Sequence, residues 1–184
     1  MQHDRIEAHG AVLRRLRHED IEQVRRWRNQ PDVNQFMERR EEITPEGQQR
    51  WFAGLDPQRQ FFYVIEWQGR DVGVVNLKDF DPVEGCAEGG IYIADAEHRN
   101  GFAGLAAMLA MYDFGFEALG LRKAVIHVLR DNARAIRFNQ SLGFRLAEGQ
   151  DGVANQLYEI GRDEYFSNTR RFRALLAAAA RPKG

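Results

Sequence analysis

The chain has 184 residues, 43% of them hydrophobic and 29% charged, and a formal net charge of −1. This balance is typical of a globular domain with its own core, and it excludes both an intrinsically disordered chain and a nucleic-acid-binding protein that depends on an overall positive field. The single cysteine, Cys86, excludes an intrachain disulfide bond and a multi-cysteine metal site.

The first third of the chain predicts a strand and a helix. Residues 1–10 are polar, without the apolar core of a secretory signal, and we expect them to be loose. Residues 11–16 predict the first strand. Asp20 then caps a helix that ends before Pro31, because proline disfavours helical geometry in the residue before it. Residues 33–37 fit a second short helix or a loop.

The middle of the chain contains the clearest hairpin. Thr44-Pro45 predicts a helix start, since proline is favoured at the first helical position. Strands at 61–67 and 72–77 are rich in β-branched and aromatic residues, and they flank a predicted turn at 68–71. A further strand is predicted at 87–94, so this region adds three strands to a sheet.

A glycine-bearing turn at 98–104 follows that strand and precedes a helix predicted at 105–118. The first N–H groups of a helix have no intrahelical partner, and the helix dipole places positive potential there. Gly101 and Gly104 lack a Cβ, so a phosphate could approach the main chain closely. The residues alone leave open an ordinary strand-to-helix loop.

The last third repeats the strand–helix pattern. A strand is predicted at 121–129, and Asp131-Asn132 then caps a helix. Two closing strands are predicted at 144–146 and 155–160, and a terminal helix at 162–180 carries Arg170 to Arg173 on its polar side. No apolar run in the chain reaches the ~18 residues of a membrane span, so we expect a cytoplasmic protein with neither a membrane nor a nucleic-acid partner.

This order predicts one α/β domain over residues 1–184, with a mixed sheet and helices on both faces. It resembles the GNAT superfamily of acetyl-CoA-dependent N-acetyltransferases over nearly the whole chain. The features that carry the resemblance are the strand 72–75, the strand at Glu88, the turn with Gly101 and Ala103, and Asn132 followed by Ala135 and Leu142-Gly143-Phe144. The resemblance implies an acyl-CoA N-acyltransferase fold with a central splayed mixed sheet, and acetyl-CoA as co-substrate.

A narrower resemblance concerns the acceptor. Residues 27–37, 76–80 and 86–92 are similar to segments of the pseudaminic-acid pathway N-acetyltransferases, which acetylate the 4-amino group of a UDP-linked 4-amino-4,6-dideoxy-N-acetyl-altrosamine. This implies direct attack by the amine of a UDP-amino sugar in a ternary complex. Two alternatives stay open: a ribosomal-protein or peptide N-terminal acetyltransferase, and a non-catalytic acyl-CoA-binding sensor.

The resemblance also implies the coenzyme contacts. The strand residues Ile91, Tyr92 and Ile93 would pair with the pantetheine arm and supply an N–H to the oxyanion. The pyrophosphate cradle would be the turn that follows His98, namely Arg99, Asn100, Gly101, Phe102, Ala103 and Gly104. His98 itself stands where many relatives carry Gln or Arg. Asn132 would hold the pantetheine arm by its amide, although it also fits a plain helix cap.

Acetyl transfer to an amine requires a base, and two residues are candidates. Glu88 precedes Gly89-Gly90, where a bulge would open the sheet beside the thioester; the alternative is an ion-paired or solvated strand glutamate. His127 has an imidazole suited to proton transfer, although a lone strand histidine is more often a core residue. Asn139 stands where many GNAT enzymes place the tyrosine that protonates the thiolate, and an amide cannot supply that proton. Three alternatives stay open: Asn139 only hydrogen-bonds the coenzyme sulfur, water protonates the sulfur, or another tyrosine does so.

The acceptor residues are expected in the N-terminal half. Arg28 and Asn29 could contact a pyrophosphate or uracil, and Lys78 could pair with a phosphate. Phe36, Met37, Phe80 and Tyr92 could pack on a deoxysugar, with core packing as the alternative for each. We expect no metal, because no set of metal-binding residues shows ligand spacing. A homodimer is a further possibility.

Overall fold

The computed structural model describes residues 3–180. Within them the chain forms one eight-stranded mixed sheet, in the order β1-β2-β3-β4-β5-β6-β8-β7, which confirms the predicted GNAT-like architecture. The strands are β1 (Arg5–Ala8), β2 (Ala11–Arg15), β3 (Phe61–Trp67), β4 (Arg70–Asp81), β5 (Cys86–Ile93), β6 (Lys123–Leu129), β7 (Arg145–Leu146) and β8 (Asn155–Gly161). The helices are α1 (Ile21–Asn29), α2 (Pro31–Asn34), α3 (Pro45–Ala53), α4 (Phe102–Asp113), α5 (Ala133–Leu142) and α6 (Arg162–Ala179).

The N-terminal segment is more ordered than we expected. Within residues 3–10, β1 pairs antiparallel with β2, whereas Met1 and Gln2 lie outside the described part. His9 and Gly10 both have positive φ angles, 56° and 83°, which suits a two-residue hairpin turn. Ile6 and Ala8 pack against the main core. This burial stabilises β1, which the polar sequence of the segment did not predict.

The central hairpin is tighter and longer than predicted. Gln68 and Gly69 alone form the turn, with φ angles of 51° and 77°. Arg70 and Asp71, which we placed in the turn, are already paired with β3. The strand β4 also runs to Asp81, four residues past the predicted end, and its register against β5 shifts between Lys78 and Asp81.

The sheet opens where β5 leaves β6. These strands are parallel and pair only at Cys86, Ala87 and Glu88, although both continue further. The predicted bulge at Gly89-Gly90 is wrong, because both glycines stay in register with β4. Glycine is required at both positions for a steric reason. A Cβ on Gly89 would lie 2.2 Å from the Tyr112 hydroxyl, and one on Gly90 would lie 2.9 Å from Asn76 Oδ1.

Two apolar clusters cover the two faces of the sheet. The larger one, which we call the back face, includes Val75 and Ala87 and receives α4, α5 and α6. The smaller one, the front face, joins Val24 of α1 to Val74 and to Tyr92. The helix α4 is apolar all round and almost fully buried, and a π-helical turn extends it through Ala118.

The terminal helix forms close to its predicted bounds, but Arg173 does not lie on an exposed polar face. Its guanidinium pairs with Asp113 of α4, and Asp113 also accepts hydrogen bonds from His9 and Tyr165. Burial opposes ionisation of Asp113, yet these hydrogen bonds outweigh it and lower the pKa of Asp113 to about 2. This network ties the N-terminal hairpin, α4 and α6 together, far along the chain from one another.

Candidate active site

The turn after β5 leaves an open set of main-chain donors. Gly101 is the N-cap of α4 and contributes no side-chain hydrogen bond, so the first N–H groups of the helix stay uncapped. Neither Gly101 nor Gly104 has a positive φ, and a Cβ on either would lie 3.6 Å from its nearest neighbour. The fold itself therefore does not require glycine at either position. Bare backbone here fits close approach by a phosphate group.

The side chains around this turn serve mostly to hold it. Arg99 donates to the carbonyls of Ile93 and Ala94 and pairs with Asp32 of α2 at 2.9 Å. His98 faces Asp95, with 3.3 Å between Nδ1 and Oδ2. Asn100 and Phe102 are exposed. Arg99 is thus held by protein partners, whereas His98 Nδ1 has an ion-pair contact but no hydrogen bond within residues 3–180. The predicted cradle therefore rests on main-chain groups.

An apolar groove of about 340 Å³ opens beside the cradle. Phe102 and Leu105 of α4, Phe138 of α5 and Phe172 of α6 line it. Flat aromatic walls beside a phosphate site suit the nucleoside end of a coenzyme. The residues present therefore fit coenzyme A in two respects, the bare cradle and the groove next to it.

The two asparagines of α5 behave differently. Asn132 caps the helix, because its Oδ1 accepts the N–H of Ala135 at 3.1 Å, as the sequence predicted. Its predicted contact with pantetheine stays a prediction. Asn139 is buried, and its Nδ2 donates to the carbonyl of Ala135 while Oδ1 has no partner within residues 3–180. Nothing in this arrangement gives Asn139 the acidity that a proton donor needs.

The two candidate bases lie together. On the front face, Glu88 Oε1 is 3.1 Å from Nζ of Lys78, and Glu88 Oε2 is 3.2 Å from Nδ1 of His127. The Glu88 side chain is 17% exposed and that of His127 is 40% exposed. The core alternative for His127 is therefore wrong: its strand neighbours Ile126 and Val128 take the buried positions. The three side chains come from three adjacent strands and meet where the sheet opens.

Further along the same face lie two buried polar atoms without partners. Nη1 of Arg28 and the hydroxyl of Tyr92 are both inaccessible to water, and neither forms a hydrogen bond within the described chain. The groups are close enough to influence each other's ionisation. Burial lowers the pKa of Arg28 and raises the pKa of Tyr92. Unpaired buried polar groups are uncommon in folded proteins, and each calls for an explanation such as a bound water, ion or ligand.

The other predicted acceptor residues are dispersed. Asn29 uses both ends of its amide on the main chain of Ile43, which fixes the loop after α2. Phe36 and Met37 lie at the start of that loop, and Phe36 is 45% exposed. Phe80 packs with Phe61 on the back-face cluster, so the fold does not bring it to Arg28.

One cluster of potential metal ligands appears in residues 3–180 that the sequence did not suggest. Ligand atoms of Asp95, Glu97 and His98 lie within 4.8 Å of one another. Arg70 pairs with both carboxylates at 3.1 Å, so their charge is already compensated by a guanidinium.

The family of the chain follows from comparison with known proteins. Residues 11–145 match the family model described as "Acetyltransferase (GNAT) domain". The chain belongs to the GNAT acetyltransferase family. Because the matching family and the curated relatives are acetyltransferases, this protein is an acetyltransferase, and the non-catalytic sensor is set aside. GNAT enzymes use acetyl-CoA as the acetyl donor.

Individual relatives of this GNAT protein differ in their acceptors. The spermidine N(1)-acetyltransferase of Escherichia coli is 33% identical over 144 residues, which cover 78% of this chain and 76% of that protein. The acetyltransferase PseH of Campylobacter jejuni is 28% identical over 135 residues, covering 71% and 80%. The solved structure of apo FdhC, described as a nucleotide-linked sugar GNAT, superposes with a TM-score of 0.78 at 19% identity, covering 94% and 98%. This structural likeness shows the fold.

Two GNAT site features were not anticipated from the sequence. The first is Asp32, which joins α2 to the cradle through its ion pair with Arg99. The second is Asn76, whose side chain fills the space above Gly90 on the front face. Both depend on contacts between segments far apart in the chain, so no local pattern reveals them.

None of the helices within residues 3–180 has the length and apolar character to cross a membrane.

Proposed function

We propose that this enzyme acetylates the amino group of a nucleotide-linked amino sugar, by direct attack on acetyl-CoA in a ternary complex. The resemblance of residues 27–37 to the pseudaminic-acid pathway enzymes implies a UDP-linked 4-amino-4,6-dideoxy sugar, acetylated at its 4-amino group. The similarity to PseH over most of the chain is consistent with this acceptor class.

The observation that carries the proposal is the unpaired guanidinium of Arg28. A charge buried without a counter-ion is unfavourable by several kcal/mol, and folded proteins rarely retain one without a use for it. The Tyr92 hydroxyl beside it is a second buried group that lacks a partner. A phosphate or uracil oxygen of the acceptor would satisfy both groups, because guanidinium and phenol both donate hydrogen bonds.

The spacing along β5 suits a long acceptor. Tyr92, Gly90 and Glu88 alternate onto the front face, opposite Val74, Asn76 and Lys78 of β4. Tyr92 lies four residue steps along the strand from Glu88, a distance of about 13 Å at ~3.3 Å per residue. An acceptor anchored at Arg28 must therefore carry its amine well away from its anionic end. A nucleotide sugar has this shape, with the charge at one end and the amine on the distal ring.

A polyamine is the second candidate, because the spermidine acetyltransferase has the higher identity of the two curated relatives described above. The loop after α2 carries the exposed residues Glu38, Glu41 and Glu42, which would attract a cation. Arg39 and Arg40 lie between them and offset part of their charge. Arg28 argues against this acceptor, since a polycation gains nothing from an unpaired guanidinium and is repelled by it.

A thiol-release assay with matched acceptors tests the proposal. The acceptors are a UDP-linked 4-amino-4,6-dideoxy sugar, the same sugar without UDP, spermidine, and a peptide with a free N-terminus, all with saturating acetyl-CoA. We expect kcat/KM for the UDP-linked sugar to exceed that for the free sugar by at least about 30-fold. This is the lower end of the 2–5 kcal/mol that a buried charged contact contributes.

The four acceptors also define the contrary results. A higher kcat/KM for spermidine than for the UDP-linked sugar would replace the proposal by the polyamine alternative. The highest rate with the peptide would support a protein N-terminal acetyltransferase instead. Equal rates with the UDP-linked and free sugars would show that the nucleotide is not recognised.

A further inference from the structure

We propose that Nε2 of His127 is the general base of the acetyl transfer and that Glu88 is a positioning residue that orients the imidazole. The proposal concerns the acetyl-transfer site and does not depend on which amine is the acceptor.

Both oxygens of Glu88 are already engaged. Oε1 lies 3.1 Å from the ammonium of Lys78, and Oε2 lies 3.2 Å from Nδ1 of His127. The carboxylate is also the less accessible partner, at 17% exposure against 40% for the imidazole. A general base needs a free lone pair within reach of the proton that it removes. One lone pair on each Glu88 oxygen is already engaged, so the more exposed imidazole is the better placed of the two candidate bases.

The contact with Glu88 also determines which imidazole nitrogen is free. The contact is an ion-pair distance of 3.2 Å, and because an ionised carboxylate only accepts hydrogen bonds, it favours the tautomer with the hydrogen on Nδ1 of His127. In a neutral imidazole the other nitrogen then holds the lone pair. Nε2 forms no hydrogen bond or ion pair within residues 3–180. A carboxylate that fixes the tautomer of a histidine is the arrangement that makes Nε2 a base in hydrolase triads.

The position of His127 on the sheet gives an amine access to this nitrogen. The strand β6 stops pairing with β5 after Val125, so His127 lies in the opened part of the sheet beside Gly89 and Gly90. On its other side β6 remains paired to β8, where Leu157 is opposite His127. The imidazole is thus held on β6, contacted by Glu88 of β5 and 40% exposed.

The proton balance is complete with acetyl-CoA and the amine alone. His127 Nε2 takes one proton from the acceptor ammonium and later releases it to water. The neutral amine attacks the thioester carbon, so that a C–N bond forms and the C–S bond then breaks. The nitrogen loses a second proton, which ends on the sulfur of the departing CoA. The products are the N-acetylated amine, CoA thiol and one proton.

Chemical rescue distinguishes a base from a structural residue. We expect His127→Ala to lower kcat by at least about 100-fold, within the usual contribution of a general base. Added imidazole should restore at least about tenfold of that loss, because the exposed side chain leaves a cavity open to solvent. The acceptor is whichever amine the wild-type enzyme turns over, so a failed acceptor assignment does not affect this result. His18→Ala, at an exposed position outside the site, controls for general effects of imidazole.

A double variant tests the role of Glu88. Glu88→Gln should lose about as much activity as His127→Ala, because a glutamine amide can donate to Nδ1 and shift the hydrogen to Nε2. Imidazole should not rescue it, and Glu88→Gln should add less than about twofold to the loss in His127→Ala, since the two residues act as a unit. His127→Gln replaces the alanine variant if thermal unfolding shows that the latter is misfolded.

Three results would overturn the proposal. The first is near-normal kcat in a folded His127 variant together with a large loss in Glu88→Gln, which would make Glu88 the base. The second is a loss in His127→Ala that imidazole does not relieve. The third is a decrease in kcat of the double variant that equals the product of the decreases in the two single variants.

Discussion

The proposed coenzyme side and the proposed acceptor side of the molecule are built on different principles. The coenzyme side relies on main chain: an uncapped helix start, two glycines that the fold does not need, and a strand edge released where β5 leaves β6. The acceptor side relies on side chains, and two of them keep buried polar atoms without partners. Both sides present unpaired donors, which are main-chain N–H groups on the first and side-chain groups on the second.

This difference suggests how each side can vary. Main-chain recognition is insensitive to side-chain replacement, so one coenzyme can be kept while surrounding residues change. Arg99 illustrates this, because its guanidinium is held by the carbonyls of Ile93 and Ala94 and by Asp32. Side-chain recognition changes with each substitution.

The largest effect should come from Arg28→Met on the acceptor side. Methionine fills similar space without charge, so we expect kcat/KM for the acceptor to fall by about 100-fold or more, in line with loss of a buried charged contact. Stability should stay the same or rise, because an uncompensated buried charge has been removed. Steady-state kinetics and thermal unfolding measure both.

Acetyl-CoA binding by Arg28→Met tests whether Arg28 belongs to the acceptor side or to the coenzyme side. The dissociation constant of acetyl-CoA, measured by calorimetry, should be unchanged. Weaker acetyl-CoA binding with an unchanged acceptor KM would place Arg28 on the coenzyme side. Arg26→Met, on the exposed side of the same helix, is the matched control.

Asp113→Asn tests a region remote from both sites. The folded pKa of Asp113 is about 2, below its unfolded value, so its ionised form stabilises the fold at neutral pH and this contribution is lost as the pH falls from about 4 through 2. We expect the substitution to lower the free energy of unfolding by about 2 kcal/mol at pH 7 and by little near pH 2. Urea titrations at the two pH values measure this difference.

The same variant should keep both binding steps. While it is folded, the KM values for acetyl-CoA and for the acceptor should equal those of the wild type, because the network around Asp113 lies behind the sheet. A stability loss that is independent of pH, or a selective change in one KM, would contradict this.

Gly104→Ala separates stability from coenzyme binding. The new Cβ meets Ile93 at 3.6 Å, an ordinary contact, and alanine is favoured over glycine in a helix by about 0.5–1 kcal/mol. The melting temperature should therefore rise. The same Cβ should obstruct the phosphate and weaken acetyl-CoA binding about tenfold, or ~1.4 kcal/mol. Gly54→Ala at the end of α3 is the control, and unchanged acetyl-CoA affinity in Gly104→Ala would remove Gly104 from the cradle.

The smallest effect is expected for Asp32→Asn, which tests whether the two sides are coupled. Asp32 is 66% exposed and its pair with Arg99 is a surface contact, so its contribution should stay below about 1 kcal/mol. We expect the KM for acetyl-CoA to rise two- to fivefold, because Arg99 loses one of its three anchors. Glu19→Gln, in another exposed ion pair, is the control. An unchanged KM would mean that the sides act independently.

Local signals predicted most of the fold and the main-chain part of the site. Thr44, Asn132 and the glycine turn announce helix starts within a few residues of sequence, and all three helices form there. The strand β1 was missed because its stability comes from burial of Ile6 and Ala8 against distant residues. The bulge was misassigned because Gly89 and Gly90 respond to Tyr112 and Asn76, which lie elsewhere in the chain.

The side-chain part of the site depends on tertiary contacts. Glu88 and His127 were each recognised as candidates, but only the parallel pairing of β5 with β6 places them 3.2 Å apart. The importance of Arg28 likewise depends on the burial of Nη1 among α1 and β5, which helix periodicity cannot reveal. A sequence pattern identifies such residues as candidates. Their roles can be inferred only from the groups that contact them in the folded protein.

A structure of the enzyme with CoA and a UDP-linked amino sugar tests the central claim most directly. We expect the CoA diphosphate on the main-chain N–H groups between Arg99 and Gly104, a nucleotide oxygen within hydrogen-bond distance of Arg28 Nη1, and the sugar amine beside His127 Nε2. A nucleotide bound away from Arg28, with that guanidinium paired to a protein carboxylate instead, would contradict the claim.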